Sequence, residues 1–404
     1  MPGAELTIVR RVRSLLGPDG VVDTDRAGVP RVAPRTTEAC ALILEAAASH
    51  GWRVRLGGGA RWTPDDAPAD LALSTRGLTR VTRVSAPDLV ATAEAGIAWL
   101  DLKRALADHG VWLPWDPPGA DRSLGSIIAT GTAGPLRSGF GNVRDHLLGL
   151  TMVTGDGRIV RPGGQVVKNV AGFDLTRLAV GSFGAFGLIT TVHLRLRSVP
   201  RADVTLVGSG QRDQLLQLAL AIRDAGEAPA ALELASPGAT GRPAWTLAVR
   251  LVGSEAAVEE ARRVAAGAAG AMEEMVPAAG AEFWSVLATN VVRPRVTLRM
   301  GVLPAGLADA LDLVTHHLDD ECLTATVAGG AIRWSGTGSA DRLRLLRAAA
   351  AQRELPLTIE RAPWDLLSAL GHFGAYREGV ERLVGSLRRA FDPTGVLVIP
   401  AGEG

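Results

Sequence analysis

The chain has 404 residues, 47% hydrophobic and 21% charged, with 43 Lys and Arg against 42 Asp and Glu. Such a length and balance give two or three domains with real cores, exclude a disordered chain, and leave no field that would gather nucleic acid or an anionic membrane. Cys40 and Cys322 stand far apart and form no ligand cluster, so no metal is expected, and no apolar run approaches the roughly 18 residues of a membrane span. The opening MPGAELTIVRRVRSLLG is charged where a secretion signal needs an unbroken apolar stretch. The expected location is therefore the cytoplasm, with membrane contact only at the inner face and only through partners.

In chain order, TEACALILEAAASHG reads as an amphipathic helix closed by Gly51, and WRVRL as the strand after it, with Val54 and Leu56 on one side and Arg53 and Arg55 on the other. DLVATAEAGIAWLDLKRALADHG repeats the pattern as strand, turn and helix, closed by Gly110. WLPWDPPGADRSLGSIIATGT is rich in loop residues and is expected to run along a binding face. In LLGLTMVTGDGRIVRPGG the turn Thr154 to Gly157 joins two alternating strands as a hairpin. KNVAGFDLTRLAVGSFGAFGLITTVHLRL then gives a helix-like stretch, a glycine-punctuated loop and a strand that ends near Pro200, where a domain edge is expected.

Beyond Pro200 strands and Ala-rich helices alternate, as in WTLAVRLVG followed by SEAAVEEARRVAAGAAG with Ser254 as N-cap, which suggests a split β-α-β sheet. The end, FDPTGVLVIP, has a turn at Asp392 to Gly395 and a short apolar strand expected to return to the N-terminal domain. The organisation is thus residues 1–200, 201–390 and a tail 391–404.

Three consecutive glycines, Gly57, Gly58 and Gly59, follow the WRVRL strand. Glycine costs backbone entropy, so such a run marks either a tight surface turn or a place where a ligand touches the backbone, whose successive N–H groups then form an anion nest. It matches neither the Walker loop nor the dinucleotide fingerprint. A second small-residue cluster spans Ser123 to Gly131, with Gly134 and Gly141 beyond it. Lys occurs only at Lys103 and Lys168, so Lys168 is more informative than a generic cation in an Arg-biased chain.

These segments, RLGGGARW, SLGSIIATGTAGPLRSGFGNVRDHLLGLTMVTGDGRIV and GGQVVKNVAGFDLTRLAVGSFGAFGLITTVHL, together with FDPTGVLVIP and GGAIRW, resemble the vanillyl-alcohol-oxidase (PCMH) type of FAD-binding domain and, within that superfamily, the FAD-binding subunits of glycolate oxidase. The resemblance implies an α+β protein: a PCMH-type FAD-binding domain of two α/β subdomains, then an α+β, ferredoxin-like cap. It implies that Gly57, Gly58, Gly59, Ala60 and Arg61 lie against the FAD pyrophosphate. Ser123, Leu124, Gly125, Ser126, Ala129, Thr130, Gly131, Gly134 and Gly141 would run beneath it and along the flavin. Gly187, Leu188 and Ile189 would hold the adenine side. Lys168, in the KNVAG signature, would either hydrogen-bond near the flavin or pair with a carboxylate.

The departures bear on chemistry. Relatives with a covalent flavin carry a His after the first glycines; Ala60, Arg61 and Trp62 stand here, so noncovalent FAD is expected. Phe173 replaces a Tyr frequent in the subunit family. The His-rich motif of stand-alone 2-hydroxy-acid dehydrogenases is absent: His316 and His317 are adjacent on a helical pattern and point apart, and His372 in LGHFG reads as a satisfied structural His. Arg144 and Asp145 read as a structural pair. Arg299 in VTLRMG and Arg333 in GGAIRW could anchor a substrate carboxylate or lie on a solvent face. No catalytic residue is assigned, with Glu360 and His372 left as candidate bases.

The expected function is that of an FAD-binding subunit of a glycolate oxidase complex, in which glycolate or D-lactate is oxidised to the 2-oxo acid. The implied partners are a homologous FAD-linked catalytic subunit and an iron–sulfur subunit, since this chain has no cluster ligands. Two alternatives remain open: an autonomous FAD-linked 2-hydroxy-acid or alditol oxidase, and a non-catalytic subunit whose FAD relays electrons.

Overall fold

The computed structural model describes residues 2–17, 23–25, 28–58, 66–119, 122–164, 175–226, 229–269, 272–290, 296–319, 321–374 and 379–400. Three larger sheets organise them, beside a two-stranded ribbon of Val111–Trp112 and Arg197–Ser198. In the first, Pro30–Val32, Leu71–Ser74 and Val54–Gly57 run parallel, with Asp23–Thr24 antiparallel on the edge. The helix Thr37–His50 packs on this sheet through Cys40, Ile43, Leu44 and Ala47, starts on the Thr36 side chain and stops at Gly51, whose φ of 69° is left-handed. The sheet is covered on both faces, so alternation does not leave Arg55 in solvent. Its side chain is buried, bound to Asp25 and to the Ala67 carbonyl at 2.7 Å.

The second sheet has the order Val81–Ser85, Val90–Glu94, Leu188–Arg195, Leu147–Val153, Ile159–Val160, and every pair is antiparallel. Hairpins join only the two edge pairs, including the one around Gly157, where φ is 84°, and the central strand Leu188–Arg195 enters from far along the chain. The stretch expected to be mostly loop contains a helix, Leu124–Thr130, begun by the Ser123 side chain and ended by Gly131 at φ 61°. Its apolar positions Leu124, Ile127 and Ile128 enter the core of this subdomain.

The third sheet has eight strands, all antiparallel, and is a duplication. Residues 202–275 give strand, helix, strand, strand, helix, strand in the ferredoxin-like spatial order, and residues 296–361 repeat it. The halves join where their second strands pair, Glu233 opposite Thr326 and Ala235 opposite Thr324. Leu232, Leu247, Val249, Leu298, Ile332 and Trp334 point to the helices and form one core. The alternate positions, including Glu233, Thr324, Arg333, Arg299 and Glu360, form a polar face.

Backbone contacts tie this sheet to the N-terminal units: Gly139 N donates to Ala230 O at 3.1 Å and Gly119 N to Ala288 O at 3.0 Å. The chain end then runs back beside Val54, whose N donates to Val396 O at 2.8 Å and whose carbonyl accepts from Val398 N at 2.9 Å. Asp392 holds that turn by accepting from Val396 N and Leu397 N, both at 2.9 Å.

Candidate functional site

A cleft opens where the three units meet. Leu56, Gly57 and Gly58 at the end of the parallel strand form one wall and Thr75 in the turn after Leu71–Ser74 another; Ser123, Gly125, Ser126, Ala129 and Thr130 of the short helix form its floor. Phe183, Gly184, Gly187, Leu188 and Ile189 close one side, and Glu360 and His372 of the eight-stranded unit close the other.

The glycines do different jobs here. An added Cβ at Gly57 would meet no atom of the described residues beyond its chain neighbours within 4 Å, and Gly57 lines the cleft. At Gly58 the obstacle is the protein: an added Cβ would overlap Ser123 Oγ and lie 3.1 Å from Ser123 Cβ. Gly125 lets the helix approach the neighbouring strand, with its N donating to Ala95 O at 2.7 Å and an added Cβ 3.0 Å from that oxygen. Gly187 has φ 135° and passes against the Val153 carbonyl.

Two polar features fit an extended, multiply charged and hydroxylated ligand. Thr75 Oγ1 is buried in the cleft wall with no hydrogen-bond partner among the described residues. Arg122, 2% exposed, donates to Ser126 O at 2.8 Å and to Thr130 Oγ1, fixing the floor helix from below. An orphaned hydroxyl and a Cβ-free strand end are what a phosphate-bearing cofactor would complete.

The opposite wall is charged. Glu360 is 1% exposed; burial would push its carboxyl up, but Arg333 and Arg299 together hold it below the ordinary value. Arg299 Nε lies 2.9 Å from Oε1 and Arg333 Nε 3.1 Å from Oε2. Arg333 also borders a smaller cavity with Asp116, Glu233, Thr324 and Trp284. There burial pushes Glu233 up to about 8, against the Thr326 hydrogen bond, and Asp116 up to about 6, against the Leu136 amide. Burial lowers His372 to about 4, despite its bond to Ile359.

Of the residues singled out in sequence, Gly57, Gly58, Ser123, Gly125, Ser126, Ala129, Thr130, Gly187, Leu188 and Ile189 all line this cleft. Four stand away from it for structural reasons. Leu124 is a fully buried core side chain, and Gly131 ends the floor helix. Gly134 passes against the Asp116 backbone, and Gly141, at φ 91°, against Asp145. Gly59, Ala60, Arg61, Lys168 and Phe173 lie outside the described residues. Arg299 and Arg333 do face inward, but both are bound to Glu360. Arg144 pairs with Asp145 at 3.8 Å on the surface. The His316 and His317 rings do not point apart but meet edge-on with centroids 5.0 Å apart, and no metal cluster of His, Cys, Asp or Glu exists among the described residues. Thr75, Phe183 and Gly184 were missed. Only the glycine-punctuated GSFGAFG hinted at the last two.

The FAD binding domain family matches residues 30–163, which carry the strand end, Thr75 and the floor helix. This segment is thus similar to an FAD binding domain. Over their full lengths, solved structures share the fold at low identity. The chain aligns with p-cresol methylhydroxylase with substrate bound at a TM-score of 0.77 and 14% identity, covering 98% of this chain and 96% of that one. With 4-ethylphenol oxidase from Gulosibacter chungangensis the TM-score is 0.73, with 14% identity and 99% and 98% coverage. The chain therefore shares the fold of these two enzymes.

By sequence, the chain is 34% identical over 254 residues to glycolate oxidase subunit GlcE of Escherichia coli, covering 61% of this chain and 65% of that one. It is 38% identical over 131 residues to the mitochondrial D-lactate dehydrogenase [cytochrome] of Arabidopsis thaliana, covering 32% and 23%. Glycolate oxidase subunit GlcD of Bacillus subtilis is 33% identical over 182 residues, covering 44% and 38%. The chain thus spans less than two thirds of each of these relatives. No helix among the described residues is long and apolar enough to cross a membrane.

Proposed function

We propose that this chain is an FAD-dependent oxidoreductase acting as the FAD-binding subunit of a glycolate oxidase complex, and that its FAD is noncovalent. The observation that carries the reading is the cleft itself: a strand end whose missing Cβ faces open space, an unpaired buried hydroxyl at Thr75, and a floor of small residues, all within the FAD-binding segment. Gly57, Gly58, Thr75, Ser123 and Ser126 would hold the cofactor's phosphates and polyol, and the Gly187–Ile189 backbone its adenine side.

Bound there, FAD supplies an acceptor for the hydride equivalent of a 2-hydroxy acid, glycolate or D-lactate. The chain's own part is to bind and orient the cofactor and to place Glu360, Arg299 and Arg333 beside it. The partners in this reading are a homologous FAD-linked catalytic subunit and an iron–sulfur subunit.

One observation favours a second reading, in which this chain's FAD relays electrons and the partner meets the substrate. The two arginines that could anchor a carboxylate already share the carboxylate of Glu360, so among the described residues that place at the wall is taken. The test is direct. The purified chain should be yellow, release all its flavin on acid precipitation, and show whether anaerobic glycolate or D-lactate bleaches it. A colourless chain that takes up no added FAD would end both readings; colour kept in the precipitate would end the noncovalent assignment.

A further inference from the structure

We infer that His372 is a positioning residue whose Nε2 accepts a hydrogen bond from a hydroxyl of the ligand in the cleft, either the cofactor's polyol chain or the substrate's α-hydroxyl. The ring is clamped at its other nitrogen. His372 Nδ1 lies 2.7 Å from the Ile359 carbonyl, and Ile359 N donates to the His372 carbonyl, also at 2.7 Å. A carbonyl oxygen can only accept, so Nδ1 carries the proton and Nε2 presents a lone pair.

The plane of the ring is fixed as well. Phe183 stacks on it with centroids 4.0 Å apart and planes 22° from parallel, and Phe373 sits edge-on to Phe183 at 5.5 Å. Phe183 holds this stack from a left-handed backbone, φ 53°, which a non-glycine residue keeps only where its surroundings over-determine it. The His372 and Phe183 rings both line the cleft. Nε2 has no protein partner among the described residues, although the ring stands within the field of Glu360 and Arg347. A satisfied structural His accounts for Nδ1 and leaves Nε2 unexplained. Because burial keeps the imidazole neutral at physiological pH, Nε2 remains an acceptor under working conditions.

Two variants separate the nitrogens. His372→Asn keeps an amide donor near the Nδ1 position and removes the Nε2 acceptor. His372→Gln brings an amide oxygen near the Nε2 position and gives up the bond to Ile359. Three quantities are measured: melting of the flavin-stripped protein, FAD affinity by fluorescence quenching, and the concentration of glycolate or D-lactate that half-reduces the flavin anaerobically.

If the donor is the cofactor, His372→Asn should melt like wild type yet bind FAD about fivefold to tenfold more weakly, while His372→Gln melts lower but binds FAD almost normally. If the donor is the substrate, FAD affinity should hold in both and the half-reducing concentration should rise by the same factor in His372→Asn alone. Affinity that merely follows melting temperature, or no change in either quantity, overturns the inference. Should neither acid reduce the wild type, the FAD measurement decides alone, and unchanged affinity in His372→Asn overturns it. The inference rests on the cleft holding FAD; a wild-type chain that binds no FAD sinks that assignment before any variant is compared.

Discussion

Gly57 and Gly58 are neighbours that face different things, so substituting each separates cofactor binding from folding. Gly57 has an ordinary backbone angle and open space beside it, so Gly57→Val should leave the flavin-free protein within about 0.5 kcal/mol of wild type. If FAD occupies that space, the added methyls must be accommodated at roughly 1–3 kcal/mol, which is about fivefold to a hundredfold in Kd. Gly58→Ala should behave oppositely and destabilise the fold itself by about 1–3 kcal/mol, because its Cβ overlaps Ser123 Oγ. Ser123→Ala alone costs about 1 kcal/mol, since that oxygen accepts from Ser126 N at 3.3 Å and starts the floor helix. The double variant then loses the overlap, and should be less destabilised than the sum by about 1–2 kcal/mol. Urea unfolding without flavin reads the stabilities and fluorescence quenching reads FAD affinity. Wild-type FAD affinity in Gly57→Val would refute the cleft as the cofactor site, and strict additivity of Gly58→Ala with Ser123→Ala would refute the contact.

Further expectations concern ionisation and autonomy. Glu233, raised from 4.5 to about 8, contributes stability that is full below 4.5 and lost as pH rises to about 8. Glu233→Gln cannot ionise and can still accept from Thr326, so it should melt above wild type near pH 9, with the gap closing towards pH 5; a constant gap counts against a buried neutral carboxyl. His372 has the opposite sign: its pKa is lowered from 6.5 to about 4, so its contribution is present above 6.5 and lost on acidification through about 4. His372→Gln should therefore flatten the acid limb of the stability profile, and an unchanged limb would assign it to other groups. The isolated chain should turn over glycolate at least about a hundredfold more slowly than the assembled complex, the scale of one missing acid–base group. Equal rates with an artificial acceptor would favour the autonomous oxidase.

Local signals in the sequence were strong wherever one segment determines its own geometry. The helix stopped by Gly51, the hairpin around Gly157 and the strand-to-glycine turn at Gly57 each need only neighbouring residues. What the sequence concealed depends on distant pairing. Arg55 reads only as lying on the side of the strand opposite Val54 and Leu56, and its burial appears once Asp25 arrives to pair with it. Gly58 reads as a phosphate contact, and the sequence conceals a second demand on it: Ser123, remote in sequence, fills its side-chain space. The duplication of the eight-stranded unit shows in strand order, for which only the alternation of apolar and polar positions has to recur. Thr75 and His372 enter the cleft from separate units, so the cleft they share appears only in three dimensions.

The arginines at the cleft wall pose a sharper question, which a carboxylate-deleted variant answers. Glu360→Ala would leave Arg299 and Arg333, with side chains 27% and 11% exposed, facing each other without their shared anion. Breaking a buried pair costs about 3–5 kcal/mol, and the partial solvation of Arg299 favours the low end. The space vacated has the charge and shape of a small carboxylate's complement. Acetate or glycolate at about ten times its Kd should therefore restore roughly 1.4 kcal/mol to the variant and nothing to wild type, while acetamide, matched in size but uncharged, should restore nothing. Thermal melts across a titration of each compound, at constant ionic strength, provide the reading. Rescue would mean that the wall can hold a substrate carboxylate and that Glu360 denies it the place, which assigns substrate anchoring to the partner subunit. Absence of rescue would mean that the two guanidiniums are set for Glu360 alone, and their role is to hold the eight-stranded unit's edge against the cleft.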